Sequence, residues 1–467
     1  MSTESEQEKK QAEAEESKGE RQGLFESTGV YARPFWAWLV LACAATNVIF
    51  LGGKRRAFGV FVAQLHVEFN QTVSLAELNW IGDSYAAVGY MTTTLSSTVI
   101  LMSGRRFRIF QFAGSAFVLL ACISSAYVPN PHWLFLSHTV FHGIGSSFIL
   151  SVVGLIVNEY FDKQHKYHIL ATTLVSGGSI ASIVFVQMYA SLIEAYNWRN
   201  AFLVLGAIYF VVNMSGVIFF AKRPGLGDYV SNKSCVTAVA QIDRKRAPYL
   251  VLWFIDRIMT SVVTYGMLLN LADYVHRRES SLTKASYLTL LFASGEASTY
   301  LLGALITAFT RDLLHNKLKW ILIGCTAVMA SLLVVWELFA ADRMLSNFLA
   351  FLTGFTMGPS ITFLFPAGEE LTSLPGHYAY PFSLAGMGVG MAISPALTAL
   401  IAERNNYHWF FLIQAFMMYI KLAALIINVV LQRCCGVEQS EIDGYRSIEL
   451  DSEEKRKADE AAEEAAH

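Results

Sequence analysis

Three cations stand in succession, Lys54, Arg55 and Arg56, inside an apolar stretch from Trp36 to Phe69 and directly after the Gly52-Gly53 pair. Insertion scales charge a Lys or Arg at the centre of a membrane helix about 2.5–3.5 kcal/mol, so such a group faces a cavity, a partner charge or an anion. Successive helical side chains diverge by about 100°, so at most one or two of the three can face one cavity. The glycine pair permits a broken helix whose loosened backbone lines a midplane site. In the competing reading the helix ends at Gly53 and the cations cap it at the cytoplasmic surface. Further ionisable groups lie in apolar stretches: Asp83, His142, the adjacent Asp256-Arg257 pair, Glu296 and Lys421. His142, within Phe141-His142-Gly143-Ile144-Gly145, can ligate a substrate or accept a proton near neutral pH; a lone His among small residues is more often a packing hydrogen-bonder. Asp256 and Arg257 point to different helix faces, so they belong either to separate networks or to a structural pair near a span end. Lys421, Glu369, Glu370 and Arg33 are expected to snorkel or cap. No phosphate loop, metal cluster or nucleophile-base arrangement emerges, so neither an enzyme nor a cofactor is expected.

The elements that must position these groups follow from composition. With 54% hydrophobic and only 15% charged residues, the 467-residue chain reads as an all-α, polytopic membrane protein. Apolar stretches of helix-spanning length recur at 36–56, 79–102, 107–127, 132–157, 168–192, 199–221, 247–273, 283–309, 318–339, 344–368, 377–402 and 409–432, which makes about twelve transmembrane helices. The layout is a tail (1–33), a six-helix bundle (34–221), a polar inter-bundle loop (222–246), a second six-helix bundle (247–433) and an acidic tail (434–467). Both tails are charge-dense and are expected to lack a packed core. The first tail has no apolar signal core, so the first span is expected to direct insertion. Six cysteines without paired spacing imply no disulfide framework, and Cys434-Cys435 after the last span is a candidate for palmitoylation.

Lys and Arg concentrate after spans two (Arg105, Arg106, Arg108), four (Lys163, Lys166), six (Lys222 to Arg246) and eight (Arg311, Lys317, Lys319). Those loops, and both termini with them, are therefore expected in the cytoplasm. Asn70-Gln71-Thr72 is a glycosylation sequon in the first outside loop. An internal echo, Glu194-x-x-Asn197 before Phe202-Leu203 and Glu403-x-x-Asn406 before Phe411-Leu412, is consistent with duplicated halves flanking a central path.

Five segments in order carry a resemblance: Phe35-Trp36-Ala37-Trp38, Phe58-Gly59-Val60-Phe61, Trp80-Ile81, Tyr160-Phe161-Asp162-Lys163, and Tyr196-Asn197-Trp198-Arg199-Asn200-Ala201-Phe202-Leu203-Val204-Leu205-Gly206. Together they resemble the monocarboxylate transporter family of the major facilitator superfamily. The departures mark a divergent member: Arg33-Pro34-Phe35 replaces an acidic-Gly-Gly element, and Gln164-His165 softens a basic run. The resemblance implies a plasma-membrane carrier of small organic anions, with protons as possible co-substrates, the lipid bilayer as environment, a possible single-span accessory protein and no nucleic acid. It places Arg56 where relatives carry a substrate-associated Lys, and Glu296 and Tyr300 where proton-coupled relatives carry an Asp and, one turn later, an Arg. Arg56 then either grips a carboxylate through two parallel hydrogen bonds or pairs with Asp83. Glu296 and Tyr300, four apart, share a helix face, so the phenol can hydrogen-bond the carboxyl. Glu296, with Asp83, is thus the candidate for proton coupling, or else a fixed structural acid. Arg257 is the candidate to replace the missing Arg, and His142 and Tyr300 to line the route. Two other functions remain open: a carrier of aromatic amino acids or similar zwitterions, and a transporter-like receptor that binds without turnover.

Overall fold

The computed structural model describes residues 34–69, 73, 75–163, 165–177, 182–223, 247–279, 282–339, 343–405 and 409–434. The sequon, Cys435, both tails and the loop 224–246 lie outside the described residues. Regular structure among the described residues is helical throughout.

The first helix, α1 (Pro34–Phe69), runs unbroken through Gly52-Gly53 and the three cations. This corrects both expectations for that segment, the broken helix and the helix ended at Gly53. Gly53 serves close packing instead, because a Cβ there would collide with the ring of Phe185. The breaks lie elsewhere. Span two consists of α2 (Leu75–Met91) and α3 (Thr93–Met102), interrupted at Thr92, whose hydroxyl donates back to the Val88 carbonyl at 2.7 Å. After α4 (Phe107–Ala126), span four opens with a 3₁₀ turn and a π-helical turn (Phe135–His142) before α5 (Gly143–Tyr160). Span five begins as α6 (His168–Ser176) and continues into α7 (Ser182–Phe219), which turns a corner at Asn197, φ +64°, and becomes span six. Asn197 caps the second limb by accepting from the Asn200 N–H at 3.1 Å.

The second half comprises α8 (Ala247–Glu279), α9 (Leu282–Thr310), α10 (Leu318–Phe339), α11 (Arg343–Thr362), α12 (Leu364–Thr372), α13 (Gly376–Asn405) and α14 (Phe410–Cys434). The α11–α12 pair is bent by 60° and has the length and apolarity of one span when its two helices are taken together. Taking α7 as two limbs recovers the twelve expected segments. Eight helices among the described residues are long and apolar enough to cross a membrane unaided, and nine with the bent pair.

In the first half α1 and α4 both pack on α7; in the second, α8 packs on α13 and α14, and α9 on α11. At the α9–α11 crossing, a Cβ on Gly295 or Gly354 would run into the opposing backbone, so these glycines set the approach distance. The halves meet where α2 lies on α13 and α6 lies on α9 and α12.

Described residues of the loops expected in the cytoplasm lie together: Lys163, His315 and Asn316 line one small pocket, and Arg223 lies 3.9 Å from Asp162. There Arg105 pairs with Glu159 at 3.0 Å and the Arg223 guanidinium donates to the Glu159 carbonyl at 3.0 Å. The halves are latched at this end. His168 on α6 meets Glu369 on α12 at 2.6 Å, both buried, and the Thr93 hydroxyl donates to the Pro381 carbonyl at 3.2 Å. Glu369 therefore neither snorkels nor caps, whereas Glu370 does cap, accepting from the Leu318 and Lys319 N–H groups at 3.2 Å each. Gly154 faces the Tyr380 ring across the same seam with no room for a Cβ. A Gly154→Leu substitution is expected to overpack the closed state by about 1–3 kcal/mol, biasing the halves apart by roughly 5- to 150-fold. Faster modification of a cysteine placed at Ser176, on the wall of the central cavity, by a thiol reagent from that end would record it. Unchanged reactivity would show that the seam does not gate access.

Candidate functional site

Along α1, Val48, Leu51, Gly52 and Arg55 recur at helical spacing and form one wall of a cavity between the halves. Tyr85, Tyr90 and Ser146 complete the first half's side; Ile361, Leu364, Tyr380 and Leu384 supply the second's. The cavity measures about 50 Å³, room for one or two waters at about 30 Å³ each. The charged group thus stands at the seam between the halves.

Arg55 supplies that charge. Its Nη1 donates to the Tyr90 hydroxyl at 3.1 Å, and its guanidinium lies over the rings of Tyr90 (5.6 Å) and, from the other half, Tyr265 (4.6 Å). Asp83 lies within electrostatic reach of Arg55, and its Oδ2 is buried without a hydrogen-bond partner. A guanidinium held on aromatic faces, with Nε unpaired, keeps donors for a planar anion.

The hundred-degree rotation per residue sends Lys54 the other way, into the first half, where it is 1% exposed. Its Nζ lies 3.8 Å from the Cys122 thiol and 5.6 and 5.4 Å from the centres of the Tyr85 and Tyr209 rings. The backbone of Arg56 belongs to α1, while its side chain lies outside the described set, so the expected Arg56–Asp83 pair does not figure in the described structure. Sequence reasoning leaves Arg55 as one of three cations of which one or two can face a cavity; the helical phase of Val48, Leu51 and Gly52 is the signal that puts it on this wall.

The remaining predicted residues are dispersed. His142 is fully buried in the first half, its Nδ1 2.9 Å from the Ser146 hydroxyl one turn on. Tyr300 does not bond Glu296; its phenol crosses to the other half and donates to the Leu174 carbonyl at 2.9 Å, its ring pressed on Gly177. Glu296 is buried on α9, outside the cavity's lining. Arg257 pairs with its own neighbour, Nε to the Asp256 carboxylate at 2.6 Å with Nη2 on the same oxygen, so the two adjacent residues form one network rather than two. A long Arg side chain can fold back along its helix, which the divergence of adjacent Cβ directions concealed. Lys421, expected to snorkel, is fully buried in that network, 2.6 Å from the Ser360 hydroxyl and 3.8 Å from Asp256.

Two helical halves, latched at one end and enclosing a small charged cavity at their seam, define a multi-pass membrane protein of the two-bundle transporter class. Residues 37–379 match the family model described as Major Facilitator Superfamily, and the chain belongs to that superfamily, whose members are transporters and not enzymes. Among characterised proteins it is similar to monocarboxylate transporter 14 of Homo sapiens, 26% identical over 191 residues, and to monocarboxylate transporter 1 of Bos taurus, 25% over 217 residues. Those alignments cover 41% and 45% of this chain, and span 36% and 41% of the relatives' own length. Among solved structures, the human organic anion transporter MFSD10 superposes with a TM-score of 0.62 at 12% identity, over 84% of this chain and 100% of that one. The transporter FucP in the outward conformation does so with 0.62 at 14%, over 83% and 98%. At such identities the likeness is one of fold.

Proposed function

We propose that this chain carries a small organic anion, a monocarboxylate, across the membrane by alternating access between its halves, 34–221 and 247–433. The observation that carries the reading is Arg55: a charged fork in the central cavity, held by aromatic faces from both halves, with unspent donors. A carboxylate entering beside it gains two parallel charge-assisted hydrogen bonds and takes over the electrostatic partnership with Asp83. Arg56, one residue on, is the alternative anion contact. Of the acids, Asp83 and Glu296 are the candidates for coupling a proton, Glu296 otherwise serving as a fixed structural acid. Similarity to monocarboxylate transporters supports the substrate class; the concentration of Lys and Arg in alternate loops supports cytoplasmic termini, and the plasma membrane is inferred from the resemblance alone.

Uptake of labelled lactate, pyruvate and larger aromatic acids into proteoliposomes is expected to be saturable and accelerated by an inward proton gradient. Flux indifferent to the gradient removes proton coupling; no flux for any carboxylate removes the reading. The proximity of Asp83 to Arg55 favours one second reading, a zwitterion whose ammonium meets Asp83, and inhibition of uptake by amino acids but not by simple carboxylates would select it.

A further inference from the structure

The π-helical turn Phe135–His142 does more than open span four. Such turns are rare and gather at functional sites. Here the turn brings the His138 and His142 rings to 5.4 Å, both fully buried, with the Tyr85 ring 4.7 Å from each and Phe58 stacked on His138 at 4.4 Å. Both nitrogens of His138 and Nε2 of His142 have no hydrogen-bond partner. A buried polar atom left unpaired costs about 1–3 kcal/mol, so a histidine kept only for packing would be expected to have found a carbonyl or hydroxyl. Beside them sits Lys54, which no carboxylate pairs with among the described residues; its contacts are the Cys122 thiol and the Tyr85 and Tyr209 rings.

We propose that Lys54, His138 and His142 form a proton-binding site inside the first half, separate from Arg55 and reached from the central cavity through the Ser146 hydroxyl. The proposal rests on the reading that the cavity takes an anion. Ser146 lines the cavity and bonds His142 Nδ1, so a proton taken from cavity water passes along that hydroxyl and converts a neutral imidazole to imidazolium. The groups around the site decide when this happens. From α1 it faces Lys54 and, further off, Arg55; from α2, Tyr85 and Asp83; from α4, Cys122; from α7, Tyr209, itself bonded to Tyr189 at 2.9 Å. Two of these are cations and one is an acid, so the empty site resists a second buried positive charge. A carboxylate arriving at Arg55 offsets that excess, and proton uptake becomes linked to anion binding through space, without a shared atom. The coupling proton is then held in the first half, while Glu296 remains structural.

The test uses the purified full-length chain in detergent at weak buffering with a pH indicator, and lactate as the probe. Wild type is expected to take up protons on lactate addition, and His142→Gln to lose that uptake while still binding lactate; if His142→Gln fails to fold, His138→Gln serves the same arm. In Lys54→Met, without lactate, the nitrogen resonances of at least one of the two rings are expected to titrate at a higher pH than in wild type, because one opposing cation is gone while the burial is unchanged. Undiminished proton uptake in the glutamine variants, or rings that titrate alike in Lys54→Met and wild type, overturns the proposal. If lactate fails to bind, the anion reading falls by itself, and the ring titration still decides the proton site.

Discussion

Alanine at position 55 is expected to lower carboxylate uptake by two orders of magnitude or more, with the protein still folded and inserted. Hydrogen bonds to charged groups contribute about 1.5–3 kcal/mol each, and a bidentate guanidinium–carboxylate contact makes two, so with about 1.4 kcal/mol per decade the loss is roughly 10²- to 10⁴-fold. Arg55→Lys keeps the charge but not the fork and is expected to recover only part of it. The stability cost is small by comparison, because Arg55 reaches the protein mainly through the Tyr90 hydroxyl and the Tyr90 and Tyr265 faces, contacts of about 1–2 kcal/mol apiece. Arg56→Ala run in parallel separates neighbours that one helix turn cannot confuse. If Arg56→Ala abolishes uptake and Arg55→Ala spares it, the anion contact lies at 56 and the cavity assignment is wrong.

Whatever depended on apolar length was legible in the chain. Twelve segments, two halves and the concentration of Lys and Arg in alternate loops follow from hydropathy and charge alone, because a bilayer leaves a helix no other way to satisfy its backbone. What escaped was local and tertiary. Gly52-Gly53 looked like a break, yet a helix interior tolerates glycine at about 1 kcal/mol, and the ring of Phe185 fills the space Gly53 leaves. The interruptions, at Thr92, at the turn Phe135–His142, at Asn197 and between α11 and α12, carry weaker marks in the sequence. Glu369 and Lys421 read as span-end charges, because one sequence does not reveal that His168 and Ser360 wait opposite them. The resemblance points to Arg56, whose side chain lies outside the described set, whereas the phase of α1 puts Arg55 on the cavity wall.

The buried network of the second half makes the other large expectation. Asp256, Arg257 and Lys421 are all fully inaccessible, two cations against one carboxylate, with Arg257 also donating to the Ser360 carbonyl at 2.7 Å and lying 4.0 Å over Trp253. Trp253 is fixed in turn by its bond to Ser383 at 2.8 Å. Removing one partner of a buried ion pair costs about 3–5 kcal/mol, since the surviving charge stays desolvated. Asp256→Asn strands two cations and is expected to fall at or beyond the upper end of that range, seen as loss of monodisperse protein after mild heating. Lys421→Met removes the weaker-paired cation, 3.8 Å from the acid, and is expected to be neutral or stabilising. The double variant then decides between a charge-balance role and a packing role. If charge balance governs, Lys421→Met rescues much of the Asp256→Asn defect, because only Arg257 is left to be solvated and its Ser360 and Trp253 contacts remain. If Lys421→Met is itself destabilising and gives no rescue, the network is held by shape, and its excess positive charge has a counter-ion elsewhere in the fold.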